Sequence, residues 1–336
     1  MNKENLTEIT YGCDPEFFVS QGGVYMPAEI TGVVGTKKKP MALPSGGAVQ
    51  IDGCALEFNI APAKDVDEFD KNIEMTLADI RKIVSEDIEF DFRSDVTFTK
   101  SAWEKVSEIN KELGCEPDYD AYTRSAKTPP AGSAEKPFRT AAGHIHIGFT
   151  NADPADPKHI FDCSMITMFL DQYVAYIEAA WSKPSKRKEL YGSLGSFRPK
   201  SYGLEYRVLG NDWVSDKTVR RFVFSLVDAV VKQALSGSWT YPPRTAAPAI
   251  WAHDTINPNN FLSSIYGGRY ATEEVFNYAC EMLLQNKING KLGYYSREDS
   301  LTYLYNIFHL QLRSPEYLNP IYQRTRAHLR NAYNRS

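Results

Sequence analysis

The chain has 336 residues, 43% hydrophobic and 24% charged, with a formal net charge of -4 from 38 basic and 42 acidic side chains. This composition excludes a disordered or low-complexity chain, and the charge balance leaves no global nucleic-acid footprint. Five scattered cysteines (Cys13, Cys54, Cys115, Cys163, Cys280) without CxxC spacing argue against a disulfide framework and against structural zinc.

The polar start MNKENLTEIT predicts no signal peptide. The most apolar long segment, residues 160–181, is interrupted by Asp162, Asp171 and Glu178, which a membrane span would not tolerate. The expectation is a soluble cytoplasmic protein. Residues 11–20 and 49–60 read as strands, separated by the loop-like stretch TGVVGTKKKPMALPSGG. Residues 65–86 read as a helix. Asp65 is its cap, and Phe69, Ile73, Leu77, Ile80 and Val84 recur in steps of three and four. A long polar loop is expected over 115–138, a strand over 139–150 and an amphipathic helix over 157–181. A second loop follows over 183–200, then a strand over 203–209 and a helix over 216–235 capped by Gly237. Past Pro243, helical periods recur near 272–285, 301–312 and 320–333 in a Tyr- and Arg-rich tail. This order predicts an α+β fold with a largely antiparallel sheet, a first domain over 1–238 and a helical extension over 239–336.

Strand alternation then sorts the polar residues. On YGCDPEFFVS, Asp14 and Glu16 share a face. On VQIDGCALEFNI, Glu57 opposes Leu56 and Phe58, and Asp52 joins Glu57 only if Gly53 makes a bulge. On AAGHIHIGF, His144 and His146 share a face, and on GLEYRVLG so do Glu205 and Arg207. A half-solvated sheet alternates in the same way, but with mixed Lys, Thr and Ser; here Lys and Thr are missing from these faces. Carboxylates with one or two imidazoles and no thiolate pair favour Mg2+ or Mn2+, and Mg2+ commonly shares its shell with substrate phosphates. A zinc hydrolase using His144 and His146 is the competing reading.

The blocks GCDPEFF, GTKKKP, DGCALEFNIAP, GCEPDYDAYT, FRTAAGHIHIGF and YGSLGSFRPKSYGLEYRVLGNDW, in that order, resemble those of phage-type COOH-NH2 ligases. These are amidoligases of the glutamine synthetase-like superfamily, and the resemblance covers about residues 10–235. It implies a curved antiparallel sheet whose concave face holds ATP and Mg2+ or Mn2+. The implied reaction is ATP-dependent amide formation, through an acyl phosphate, in a virus-encoded protein. By resemblance Glu16, Glu57, His144, Glu205 and Asp14 are metal ligands. Arg207 is the arginine of the ExR block, and Arg187 and Arg198 face the nucleotide phosphates or the acyl phosphate.

GTKKKP lacks the P-loop spacing, so it reads either as a solvated loop or as a phosphate-facing one in which Lys37 meets the nucleotide. Arg139, His146 and Asn211 are candidate substrate contacts, with an edge salt bridge and a turn as the alternatives for Arg139 and Asn211. The partners expected are a small-molecule, peptide or protein carboxylate and an amine, which can be a modified nucleobase. No membrane partner is expected, and the Tyr-rich tail leaves an oligomer open. A non-catalytic virion or regulatory protein that keeps the fold is the rival from another class. The completeness of the constellation argues against it.

Overall fold

The computed structural model describes residues 6–111, 118–123, 125–127, 136–175, 178, 182, 185–187 and 190–235. The predicted helices near 272–285, 301–312 and 320–333, the Gly237 cap and the 238/239 boundary lie outside the described residues, as do parts of the two predicted loops.

Two strands open the chain, β1 (Leu6–Cys13) and β2 (Glu16–Gln21), followed by β3 (Val24–Met26), β4 (Met41–Ala42), β5 (Ala48–Asp52) and β6 (Ala55–Asn59). Helix α1 (Val66–Ile83) leads to β7 (Ile88–Asp91), β8 (Asp95–Thr97) and the short helices α2 (Lys100–Trp103) and α3 (Glu108–Lys111). Then come β9 (Asp118–Asp120), β10 (Ala126–Lys127), β11 (Phe138–Thr140) and β12 (Ile145–Thr150). Helix α4 (Pro157–Tyr173), β13 (Ser196–Lys200), β14 (Gly203–Tyr206) and α5 (Lys217–Leu235) complete the described chain. The architecture is mixed α and β with antiparallel sheets. One six-stranded sheet runs β1-β12-β14-β13-β9-β10. A second runs β3-β2-β6-β5-β4 with β7 also on β2, and β11 pairs with β8.

The chain divides into two compact units. One comprises Asn2–Thr167 and Ser185–Lys217 and carries every strand. The other takes in Met168–Pro184 and resumes at Thr218. In the second, α5 repeats buried apolar side chains at Val219, Val223, Leu226, Val227, Val230 and Val231, the spacing of a helix face.

Within the strand-bearing unit, local chemistry corrects several boundaries. The predicted 11–20 strand is two strands, because Pro15 has no N–H to donate and the ladder stops there. At this break the chain passes from one sheet to the other. Asp14 N–H donates to His144 O at 3.4 Å, Glu16 N–H to Ala142 O at 2.8 Å and Phe58 N–H to Pro15 O at 3.1 Å. The predicted 49–60 strand is the hairpin β5–β6, turned at Gly53, whose φ of 57° suits glycine. The predicted 139–150 strand divides because Gly143 N–H bonds Leu209 O instead of continuing a ladder. β13 falls inside the predicted 183–200 loop. Pro199 disguises it, yet β9 pairs only with Ser196 and Phe197, so the proline breaks no ladder there. Helix α1 starts where predicted, with the Asp65 carboxylate accepting from the N–H groups of Asp67 and Glu68. It buries Phe69, Ile73 and Ile80, and Phe69 stacks on Trp213 at 6.0 Å between centroids. A core of Phe18, Met26, Cys54, Ala55, Val96, Phe98 and Ala141 lies on the side of β2.

Candidate active site

The register of the two sheets gathers the charged residues. In the second sheet Glu16 stands directly opposite Glu57. The β5–β6 hairpin pairs Gln50 with Glu57 and Asp52 with Ala55, which puts Asp52 on the Glu57 face. The parity conflict is thus solved by a turn, not by a bulge. Glu16, Asp52 and Glu57 offer carboxylate oxygens that all lie within 4.8 Å of one another. In the first sheet His146 stands opposite Glu205, and Glu205 opposite Arg198. Asp14, at the crossover, joins His146 and Glu205 in a second group of ligand atoms within 4.8 Å. His144 leans on the same group, its Nδ1 3.3 Å from Asp14 and 3.5 Å from Glu205.

The two groups differ in their counter-charges. Burial raises the Glu16 carboxyl to about 8, with the neighbouring Asp52 charge adding to the rise and the Ala142 N–H opposing it. Glu57 is pushed well above the usual range by burial and then by Asp14, Glu16 and Asp52. Lys37 lies 3.6 Å from Asp52, and the charges of Arg187 and Arg207 act on Glu16 without offsetting its rise. In the other group burial also opposes ionisation, but there it is outweighed. The charges of His146 and His144 hold Asp14 well below the usual range. Arg207, His144 and His146 hold Glu205 down to about 2, against burial and Asp14. His144 is lowered by burial and Arg207. His146 is raised because the Asp14 charge overcomes its burial.

Arginines close the site. Arg207, just past β14, places Nε 2.7 Å from Asp118 and gives Nη1 to Glu205 and, at 3.4 Å, to His144. Arg198 is held more loosely, 3.4 Å from both Glu205 oxygens and 3.5 Å from Asp118. Arg187 spends its guanidinium on main chain, donating to Val208 O at 2.9 Å and Arg207 O at 3.0 Å. A cavity of about 80 Å³ has Glu16, Asp52 and His144 in its wall together with Asp118, Arg139, Arg187 and Arg207. Cys54 also lines it, but burial pushes its thiol up to about 11, which keeps it protonated and poorly nucleophilic.

Sequence-predicted residues therefore meet in one place: Asp14, Glu16, Glu57, His144, His146, Arg198, Glu205 and Arg207, with Arg187 in the cavity wall but bonded to main chain. Three others take different posts. Asn211 is fully buried, its amide donating to Glu16 O at 2.7 Å and its oxygen accepting from Ser94. It braces the crossover and does not line the cavity. Arg139 reaches the cavity wall, but its guanidinium donates to Lys136 O, Phe138 O and Lys111 O and stacks 4.4 Å over Trp103. Lys37 meets Asp52 from an exposed turn closed by Thr36 and Lys39.

Asp118, Lys200 and Tyr202 were missed. Lys200 contacts Glu205, and the Tyr202 hydroxyl is bonded to His146 Nδ1. The signal for Lys200 was the alternation in SFRPK, which puts Ser196, Arg198 and Lys200 on one face. Asp118 sits in the GCEPDYDAYT block.

The donor chemistry suits hard divalent cations. The trio offers three carboxyl groups and no nitrogen or sulfur, and burial with mutual repulsion raises Glu16 and Glu57, so a divalent cation there would take the place of their protons. In the second group, Asp14 Oδ1 and His146 Nε2 are buried at ion-pair distances but make no aligned hydrogen bond. A metal ion would satisfy both.

Residues 123–248 match the model of the family described as phage phiEco32-like COOH.NH2 ligase-type 2. The resemblance read from the sequence motifs is thereby borne out for this region. The matched ligase-family region supplies His144, His146, Arg187, Arg198, Glu205 and Arg207, while Asp14, Glu16, Asp52, Glu57 and Asp118 come from the chain before it. Among solved structures, a bifunctional glutathione synthetase from Pasteurella multocida aligns with a TM-score of 0.44 and 12% identity, over 98% of this chain and 52% of that one. The chain spans about half the length of that protein. No curated protein matches. Among the described residues, no helix is long and apolar enough to cross a membrane.

Proposed function

We propose that the protein is an ATP-dependent carboxylate-amine ligase that activates a carboxylate as an acyl phosphate. The observation that carries this reading is one cavity lined by the carboxyl groups of Glu16, Asp52 and Asp118 together with His144, Arg139, Arg187 and Arg207, partly built from the region that matches a ligase family. On this reading the first sheet is the glutamine synthetase-like sheet, a finer assignment supported by its antiparallel order and its polar face over β12, β14 and β13.

A carboxylate is a poor acyl donor because its oxygen leaves badly. ATP with Mg2+ or Mn2+ supplies the phosphoryl group that makes it a good one and neutralises charge on the phosphates. Glu16, Asp52 and Glu57 would hold one cation, and Asp14, His146 and Glu205, with His144 beside them, a second. Arg198, which stands opposite Glu205 on β13, would turn toward the phosphates. Arg207 is fixed by Asp118 and Glu205 and presents a set positive charge to the equatorial oxygens as they gain charge. Arg187 braces the strand end from which Arg207 projects. The amine then attacks the acyl carbon and phosphate leaves. No protein nucleophile takes part, in keeping with the protonated Cys54.

Calorimetric titration with a non-hydrolysable ATP analogue tests this. Binding that needs Mg2+ and is lost in Glu57→Gln supports the ligase and leads to amine and carboxylate pairs being screened for ADP release. Tight Zn2+ binding without any nucleotide binding would instead indicate the hydrolase built on His144 and His146. Absence of both would indicate the non-catalytic protein.

A further inference from the structure

Lys200 closes β13, and its Nζ lies 2.8 Å from Oε2 of Glu205, a side chain only 1% exposed. The other Glu205 oxygen, Oε1, belongs to Arg207, whose Nε is in turn gripped by Asp118 at 2.7 Å. Arg198 stands back at 3.4 Å from both oxygens. Freeing Oε1 means breaking a pair that is buried and braced from behind. Freeing Oε2 means moving one flexible chain that is already 29% exposed and whose ammonium regains hydration in water. Asp14 Oδ1 and His146 Nε2 share this cluster with Glu205 and sit at ion-pair distances without an aligned hydrogen bond. A divalent cation can take one donor atom from each of Asp14, His146 and Glu205, whose ligand atoms are all within 4.8 Å.

The geometry points to Lys200 as a built-in counter-ion that holds the place of a divalent cation at the Asp14, His146 and Glu205 cluster and must leave Glu205 for that cation to bind. This rests on the metal-dependent reading above and deepens it. The two cation sites then differ in strength for a stated reason. At the Glu16 trio the competing lysine, Lys37, is 3.6 Å from Asp52 and 52% exposed, so it obstructs little. At the Glu205 cluster the competitor is closer and its carboxylate is buried, so the cation must displace a stronger pair.

The test is Mn2+ titration of the full-length, nucleotide-free protein, with free Mn2+ read by its paramagnetic resonance signal. Lys200→Met is expected to tighten one site about tenfold, and adding Glu205→Gln to it is expected to abolish that gain. Lys64→Met removes a cation from the exposed Glu8 pair and serves as the control for general electrostatics, with a change of less than about twofold. If Lys200→Met does not fold, Lys200→Gln carries the same expectation. Wild-type and Lys200 variants that bind Mn2+ alike, with binding still reduced by Glu57→Gln, overturn the role of Lys200 and leave the ligase reading standing. A protein that binds no Mn2+ in any of these forms overturns both.

Discussion

Two acid clusters adjoin one another at the crossover between the sheets, mostly half-buried with Glu205 fully so, and they hold their protons in opposite ways. Glu16 is raised to about 8, whereas Glu205 is lowered to about 2. Burial raises both carboxyls, so burial does not set the sign. The neighbours do: Glu16 faces Asp52 and Glu57, while Glu205 faces Arg207, Arg198, Lys200 and His144. At one cluster a cation would replace protons on raised carboxyls. At the other it would have to displace side-chain cations already paired with Glu205.

The largest effect expected from breaking this contrast is at Arg207. Arg207→Ala removes the braced cation from the Glu205 hub, and the ligation rate is expected to fall by about 10³-fold or more, as for other arginines in phosphoryl transfer. A loss below about tenfold would reduce Arg207 to a structural ion pair. Next is Glu57→Gln, which takes one oxygen from the trio. Mn2+ affinity, read by calorimetry, is expected to drop by at least the ~10–100-fold that losing an outer-shell partner costs. Unchanged affinity would remove the trio as a cation site.

Each half of this contrast was legible to a different degree. The acids of β2 and β6, the histidines before and in β12 and the ExR pair on β14 followed from a two-residue period, because side chains alternate whatever the tertiary context. Asp52 did not follow. Its place depends on a turn at Gly53 that folds one apparent strand into two, and periodicity alone cannot tell a hairpin from a bulge. Arg198 was found only through the motif, since Pro199 makes β13 look like a loop. Lys200 shares the Arg198 face in the alternation of SFRPK, and Asp118 lies in a motif block, but that both converge on Glu205 and Arg207 follows from the pairing of β9, β13 and β14. Asn211 shows the reverse case. A polar residue next to the ExR block invites a role in the pocket, yet it is spent on the main chain of Glu16 and on Ser94.

A smaller effect is expected at Gly192, which has φ of 66° and lies against the Arg187 guanidinium. A Cβ there would stand 1.9 Å from Arg187 Nη1. Arg187 cannot yield without releasing the carbonyls of Arg207 and Val208, so Gly192→Ala is expected to cost about 1–3 kcal/mol in urea unfolding. An unchanged midpoint would mean that Arg187 is not fixed by those carbonyls.

The two clusters also predict opposite pH limbs for the metal-free protein. Glu16 binds its proton more tightly folded, at about 8, than at its ordinary 4.5. Its contribution is therefore full below 4.5 and is lost as pH rises through about 8. Glu205 runs the other way, contributing above its ordinary 4.5 and losing that contribution as pH falls toward 2. Thermal unfolding across this range is expected to show the alkaline loss, Mn2+ to suppress it, and Glu16→Gln to flatten it. An alkaline limb that survives in Glu16→Gln would assign it to another group.

The smallest effect expected is at Lys37, and its size is informative. Lys37 is the lysine paired with the trio, but at 3.6 Å and 52% exposed it is a solvent-screened partner worth about 0–1 kcal/mol. Lys37→Met is expected to move the unfolding midpoint by no more than that and to leave the alkaline limb in place. A large destabilisation would mean that Lys37 neutralises the trio by itself and that the carboxylates need no other cation. A small one leaves protons on Glu16 and Glu57, not Lys37, as what offsets the charge of the empty site. A divalent cation entering the trio then replaces those protons, so its hold is expected to strengthen as pH rises through about 8.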